Sequence, residues 1–194
     1  MSGRLDEVLR AIDAANGRDP HSVVVDGVGV PRELLYGRRM SDWLSKFQAE
    51  ASDALHIAAR GQHIRRWEIP RSDYPMDRTG YLKWRTTLYR FHADQIAPLM
   101  TAAGYDDPEI QRMRGLVEKK GLKSNPEMQT LEDVICLVFL EFYFDDFRRQ
   151  HERSKVIDIV RKTWGKMSEQ GQGFALALPL GPEALLLVQD ALAG

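Results

Sequence analysis

The chain has 194 residues and a mass of 22.2 kDa, 43% of it hydrophobic and 28% charged, which is enough apolar material for a substantial core. Lys and Arg number 27 against 28 Asp and Glu, and the net charge of −1 excludes a global field drawing the protein to nucleic acid or a membrane surface. The composition also excludes disordered, collagen-like and disulfide-scaffold classes, since Pro and Gly are few and Cys136 is the single cysteine.

In chain order, Leu5, Val8, Leu9 and Ile12 recur at the helical period and predict an amphipathic helix over residues 2–15, closed by Asn16-Gly17. The polar, acidic start carries no secretory signal, so a cytoplasmic location is expected. Valines on either side of Asp26-Gly27 predict a short β-hairpin near residues 23–30. Pro31 suits the first turn of the next helix, whose apolar face is Leu34, Leu35, Met40, Trp43, Leu44 and Phe47. Ser52 is a good N-cap for a helix running through His56 and His63 and stopping before Pro70. Residues 70–80 read as a loop. A long helix follows from Tyr81, with Tyr81, Leu88, Phe91, His92 and Leu99 near one stripe, and Pro98 should kink or end it.

Asp107-Pro108-Glu109 reads as a cap, a first-turn proline and an early acid, opening a helix toward Lys120-Gly121. Asn125-Pro126 starts another, to about Phe147, whose middle is apolar all round and marks a central buried helix. Cys136 lies within that run as a buried small hydrophobe, and the run is too short to span a bilayer. Val156 to Met167 and Leu185 to Leu192 supply two more helices. The expected architecture is all-α: a compact helical bundle forming one domain over residues 1–194.

Chemistry-bearing residues converge between His56 and Asp133. On one helix, His56 and His63 would lie about 10.5 Å apart along the axis, too far to share a metal ion. His63 and His92 fall on different helices and can converge; His21 and His151 read as surface residues. Glu132 and Asp133 open the most hydrophobic helix, either complementing its dipole from the surface or serving a site. Glu141, within the same apolar run, is expected to ion-pair with a neighbouring helix. From Arg60 to Arg90, eight basic residues face three acidic ones, a local charge of +5, with Trp67, Tyr74, Tyr81, Trp84 and Tyr89 interleaved. Guanidinium groups suit phosphates and aromatic faces suit bases, although a solvated helix face uses the same residues.

Residues 34–143 resemble the helical core of the HD-domain metal-dependent phosphohydrolases. Gln62-His63-Ile64 occupies the place of the His-Asp doublet, with Ile64 where the Asp would stand. Ala103-Gly104-Tyr105-Asp106-Asp107-Pro108-Glu109-Ile110, Leu116-Val117-Glu118-Lys119-Lys120 and Leu131-Glu132-Asp133-Val134 are similar to the stretch leading to the last metal-binding Asp. The resemblance implies a divalent metal such as Mn or Mg held by His63, His92 and Asp133, with Glu118 as a further ligand or catalytic base. Arg65, Arg66, Arg71, Lys119 and Lys120 would then hold the phosphate of a nucleotide or other phosphate ester. The departure at Ile64 favours an alternative, a non-catalytic nucleotide- or RNA-binding helical module that has lost the metal.

Gln62 to Arg71 and Leu131 to Glu141 also resemble an uncharacterised domain-of-unknown-function family, some of whose members carry a glutamyl-tRNA synthetase label. That label does not suit this sequence. Lys166-Met167-Ser168 matches only part of the synthetases' signature loop, Glu169 follows where Lys is required, and no nucleotide-binding α/β pattern precedes it. The oligomeric state has no signature in the sequence, and no membrane partner is expected.

Overall fold

A computed structural model describes residues 3–122 and 124–192. Ten α-helices and one hairpin are present among the described residues, in agreement with the all-α expectation. Contacts group the chain into two units, Met1–Met128 and Gln129–Gly194, each described by itself below.

In the first unit, α1 (Gly3–Asn16) buries Leu5, Val8 and Ile12, the stripe its periodicity predicts. Strands β1 (Ser22–Val25) and β2 (Val28–Pro31) pair antiparallel, with Val25 opposite Val28. Asp26 and Gly27 both adopt positive φ, +50° and +80°, the geometry that a two-residue hairpin turn requires. Helix α2 (Arg32–Phe47) follows at once, so Pro31 is its N-cap and ends β2 rather than entering the first turn. The buried face of α2 is Glu33, Gly37, Met40, Trp43, Leu44 and Phe47; Leu34 and Leu35 are only half-buried. An acid has taken the inward place where a leucine was expected.

Helix α3 (Asp53–Arg60) is capped by Ser52, whose hydroxyl accepts the Leu55 N–H at 3.2 Å. It ends earlier than its sequence suggests, and His63 lies in the turn beyond it rather than on its continuation. Gly61 is the C-cap, and a Cβ there would come 2.4 Å from Ile96 Cδ1, so the chain passes the neighbouring helix at glycine distance as it leaves α3. Two short 3-10 turns (Arg66–Glu68 and Arg71–Asp73) lead to α4 (Arg78–Ala102). Asp77 caps α4 by accepting the Gly80 N–H at 2.7 Å, so the helix begins one turn before Tyr81. Pro98 lies inside α4 without ending it; the carbonyl left without an amide donor is that of exposed Asp94.

Helix α5 (Asp107–Val117) opens on a capping box, with Asp106 accepting the Glu109 N–H and Glu109 accepting the Asp106 N–H. The cap is thus Asp106, one residue before the expected Asp107. Helix α3 packs against α1, α2 and α5, and α4 packs against α1 and α5. Leu44, Leu55, Ile57, Leu88, Ile96, Met100 and Met113 are closed to solvent in this core. Each such side chain contributes about 2 kcal/mol relative to leaving it exposed.

Helix α6 (Pro126–Phe142) begins where Asn125 Oδ1 accepts the Glu127 N–H, and it supplies most of its length to the second unit. It stops five residues short of the expected end. Tyr143 departs to φ −126°, and α7 (Phe144–Arg149) starts with Phe144 wholly buried, edge-on to Phe139 at 6.0 Å. Helices α8 (Arg153–Trp164) and α10 (Pro182–Leu192) pack together around Val156, Val160, Ala184 and Val188. Between them lies α9 (Glu169–Leu176), which its sparse apolar periodicity did not announce. Cys136 is buried, as expected, with its Sγ 3.9 Å from the Thr163 carbonyl. Among the described residues no helix is long and apolar enough to cross a membrane.

Candidate functional site

The turn between α3 and α4 carries His63 and Arg66, and its conformation is set by buried groups from elsewhere in the first unit. Arg65 occupies the left-handed region at φ +52°, a conformation that costs a non-glycine residue on the order of 1 kcal/mol. Asn16, at the end of α1 and 1% exposed, offsets this: its Oδ1 accepts the Arg65 N–H at 3.0 Å and its Nδ2 donates to the Glu33 carbonyl at 3.4 Å. Asp19 Oδ2 accepts the Glu33 N–H at 3.0 Å, while Asp19 Oδ1 accepts the His21 N–H at 2.9 Å. Two buried side chains therefore clamp the start of α2 against the turn 61–66.

What the clamp positions is a carboxylate–imidazole pair. Glu33 Oε2 lies 2.9 Å from His63 Nδ1, and Tyr36, one turn along α2, stacks on the His63 ring at 3.9 Å. His92, on α4, faces His63 with 6.2 Å between ring centres and donates from Nδ1 to the Ile64 carbonyl at 2.8 Å. A carbonyl can only accept, so His92 is protonated at Nδ1 and its Nε2 is a bare lone pair. That Nε2 is sealed from solvent and makes no hydrogen bond among the described residues. With Glu33 ionised, the same logic protonates His63 at Nδ1. Its Nε2 makes no hydrogen bond among the described residues either, but the His63 side chain is 24% exposed.

The electrostatics are those of a buried site in which desolvation is the largest influence on each of Glu33, His63 and His92. Burial raises the Glu33 carboxyl to about 7, with Asp19 adding to the rise and Arg66 opposing it. Burial, then Arg66, then Lys119 hold His63 well below its ordinary value, so it is a neutral imidazole at pH 7. His92 is pushed to about 3 by burial first and by His63 second. The Arg66 guanidinium lies over Trp84, 4.7 Å from the ring centre, and burial lowers its affinity for a proton despite Glu33. Among the described residues it makes no hydrogen bond or ion pair. Lys119 sits in the left-handed region at φ +58°, 6.0 Å from the Tyr89 ring centre. Two cations and two neutral imidazoles thus share one small region with Glu33, whose carboxyl is half-titrated at pH 7, and with Asp19 behind it.

Of the residues singled out in the sequence, His63, His92, Arg66 and Lys119 come together here. The others have different partners. Arg65 pairs with Glu68 at 2.6 Å and donates to Gln95 at 2.7 Å. Arg71 donates to the carbonyls of Tyr74, Pro75 and Asp77, closing the loop before α4. Glu118 forms ion pairs with Lys120 at 2.5 Å and Arg114 at 3.9 Å. Arg60 is held by Asp13 through two hydrogen bonds of 2.7 Å. Much of the +5 charge between Arg60 and Arg90 is therefore spent on internal bonds.

Asp133 belongs to the second unit. It is buried and accepts from the Ser168 N–H at 2.8 Å and the Ser168 hydroxyl at 2.6 Å, fixing the N-cap of α9. Its neighbour Glu132 is buried beside Lys166 at 3.4 Å. Both acids lie in the second turn of α6, inside the fold, and a surface dipole role does not describe them.

Sequence reasoning missed Glu33, Asn16, Asp19 and Tyr36. One signal was available: an acid at the i−4 position of the inward Gly37-Met40-Leu44 face of α2 is out of pattern for a solvated helix surface.

A family model described as a domain of unknown function, DUF4202, matches residues 6–188. The chain belongs to this family. No curated protein and no solved structure matches it. Anchoring of an imidazole through Nδ1 is how metal-binding histidines are oriented. Yet among the described residues no three His, Cys, Asp or Glu side chains are grouped to hold an ion, and His63 and His92 alone fall short of the three or four protein ligands of a metal site.

Proposed function

We propose that this chain is a phosphate-ligand-binding helical module, taking a nucleotide or other phosphate ester at the cluster of His63, His92, Arg66 and Lys119 without a metal. The observation that carries the reading is Arg66: a guanidinium drawn inward over Trp84, with no hydrogen-bonded acid among the described residues. A half-buried arginine without an acceptor is a demand for an anion, and its planar fork matches two phosphate oxygens. Lys119 adds a second positive charge felt at His63. RNA is the less favoured ligand, because Arg60, Arg65 and Arg71 are occupied within the fold.

The test is titration calorimetry of pyrophosphate and of ATP, at low and raised salt, against the intact protein and Arg66→Ala. Binding that weakens with salt and falls at least about tenfold in the variant is expected, a charge-assisted hydrogen bond being worth about 1.5–3 kcal/mol. Equal binding by both proteins, or none at low salt, would remove the reading.

The second reading is the divalent-metal phosphohydrolase implied by the HD-domain resemblance. What favours it is the Nδ1 anchoring of both imidazoles, which leaves two Nε2 lone pairs in one region. Stoichiometric Mn²⁺ binding lost in both His63→Ala and His92→Ala, in variants that circular dichroism shows to be folded, would establish it against the first.

A further inference from the structure

We propose that His63 is a phosphoryl acceptor, its Nε2 taking a phosphoryl group from an acyl phosphate or phosphoanhydride while Glu33 holds Nδ1. This rests on the reading of the cluster as a phosphate site and adds a reaction to it.

The argument starts from which imidazole atoms are free. Tyr36 covers one face of His63 at 3.9 Å, and His92 packs beside the ring at 6.2 Å. Nδ1 is engaged by Glu33 at 2.9 Å. What remains is the Nε2 edge, on a side chain that keeps 24% of its surface in solvent. A carboxylate on Nδ1 fixes the tautomer with the lone pair on Nε2, and it stabilises the positive charge that the ring acquires when that lone pair forms a bond. Burial and the two cations keep the ring neutral, hence nucleophilic, at pH 7. Those same cations, Arg66 and Lys119, would face the phosphoryl oxygens. His92 offers a contrast within the molecule: its Nε2 lone pair is equally bare but sealed from solvent, so it cannot receive a group from outside. Glu33 acts through His63 and is a positioning residue.

The step balances without a metal or a redox partner. The Nε2 lone pair forms the N–P bond; the bond from phosphorus to the bridging oxygen breaks, and its electron pair leaves on acetate (from acetyl phosphate) or on ADP (from ATP). The product ring is an N-phosphorylated imidazolium whose Nδ1 proton stays hydrogen-bonded to Glu33. Water then attacks phosphorus, the N–P electron pair returns to Nε2, and dihydrogen phosphate departs carrying both water protons.

The experiment incubates the full chain with ³²P-labelled acetyl phosphate in the presence of EDTA, and maps the label by mass spectrometry and ³¹P NMR. An acid-labile, alkali-stable label on His63, in the Nε2 isomer, is expected. It should be absent from His63→Asn and slower by about 10²-fold in Glu33→Gln, the scale of a lost acid–base partner. Circular dichroism identifies variants that have failed to fold, and mapping on the unmodified protein does not depend on any variant. Imidazole ¹⁵N shifts should show His63 keeping its Nδ1–H tautomer in Glu33→Gln, whose amide oxygen still accepts from Nδ1, and losing it in Glu33→Ala, which a merely structural role for Glu33 would not produce. Label on another residue, or on Nδ1, overturns the proposal. So does an unlabelled protein that still binds pyrophosphate, which leaves the phosphate-site reading intact. A protein that neither binds pyrophosphate nor takes label removes both.

Discussion

Replacing Glu33 with glutamine is expected to stabilise the protein at pH 8 and to leave it nearly unchanged at pH 4.5. The carboxyl titrates at about 7 in the fold against 4.5 for an ordinary glutamate, because it is 8% exposed and the neighbouring Arg66 does not fully compensate. A native pKa raised above the unfolded one means that the fold binds the proton more tightly between pH 4.5 and 7. The associated stability is complete below 4.5 and lost as pH rises through 7. Converted at about 1.4 kcal/mol per pH unit, the loss is about 3 kcal/mol by pH 8. Glutamine has nothing to ionise, but it accepts from His63 Nδ1 as a neutral group, which forfeits about 1 kcal/mol. The net gain at pH 8 is about 2 kcal/mol, falling toward zero or slightly below at pH 4.5, where the wild-type side chain is itself protonated. Urea unfolding of both proteins at pH 4.5, 6 and 8 reads the difference directly. A difference that does not change with pH, or that turns against glutamine as pH rises, would refute the account of Glu33 as a buried acid held at an energetic cost. A stabilised variant that has lost phosphate chemistry would show why the acid is there.

Three further outcomes follow from other parts of the molecule. His92, at about 3 in the fold against 6.5 unfolded, binds its proton less tightly when native, so stability should fall as pH drops from 6.5 toward 3; His92→Phe should flatten that acid limb while losing about 1–3 kcal/mol at pH 7 from the abandoned Ile64 carbonyl, both read by denaturation at stepped pH. Gly171→Ala places a Cβ 2.5 Å from Asp133 Oδ1 and should cost about 1–3 kcal/mol, with Asp133→Ala costing a similar amount by freeing Ser168; thermal melts of the two variants test this, and unchanged melting would exclude the Asp133–Ser168 clasp. Asp106→Ala removes half of the capping box of α5 and should cost about 1 kcal/mol in urea unfolding without altering pyrophosphate binding.

Helices whose apolar stripe and cap lie within a few residues of each other were readable from sequence. The stripe of α1, the Ser52 cap of α3, the proline-led start of α6 and the Asp-Gly hairpin turn all appear within a residue or two of expectation. Misplaced ends share a cause. Helix α3 stops at Gly61, where the chain passes Ile96 at glycine distance, and α6 breaks at Tyr143 as Phe144 turns into the core beside Phe139. Each is decided by a side chain many residues away or by packing that no local pattern encodes.

The site divides in the same way. Composition and periodicity alone determined an all-α chain and a basic stretch rich in arginine, and they left His63 and His92 able to converge; the structure brings the two rings to 6.2 Å. Tertiary structure decided which of those arginines are spent: Arg60, Arg65 and Arg71 find acids, an amide or carbonyls inside the fold, and Arg66 does not. It also decided that Glu33, on a helix face otherwise filled with apolar side chains, is the partner of a histidine 30 residues away. The physical reason is that a hydrophobic stripe is a property of one helix and repeats along the chain. A hydrogen bond between buried polar groups exists only where two elements meet, and Asn16 and Asp19 arrange that meeting with bonds that leave no period in the sequence.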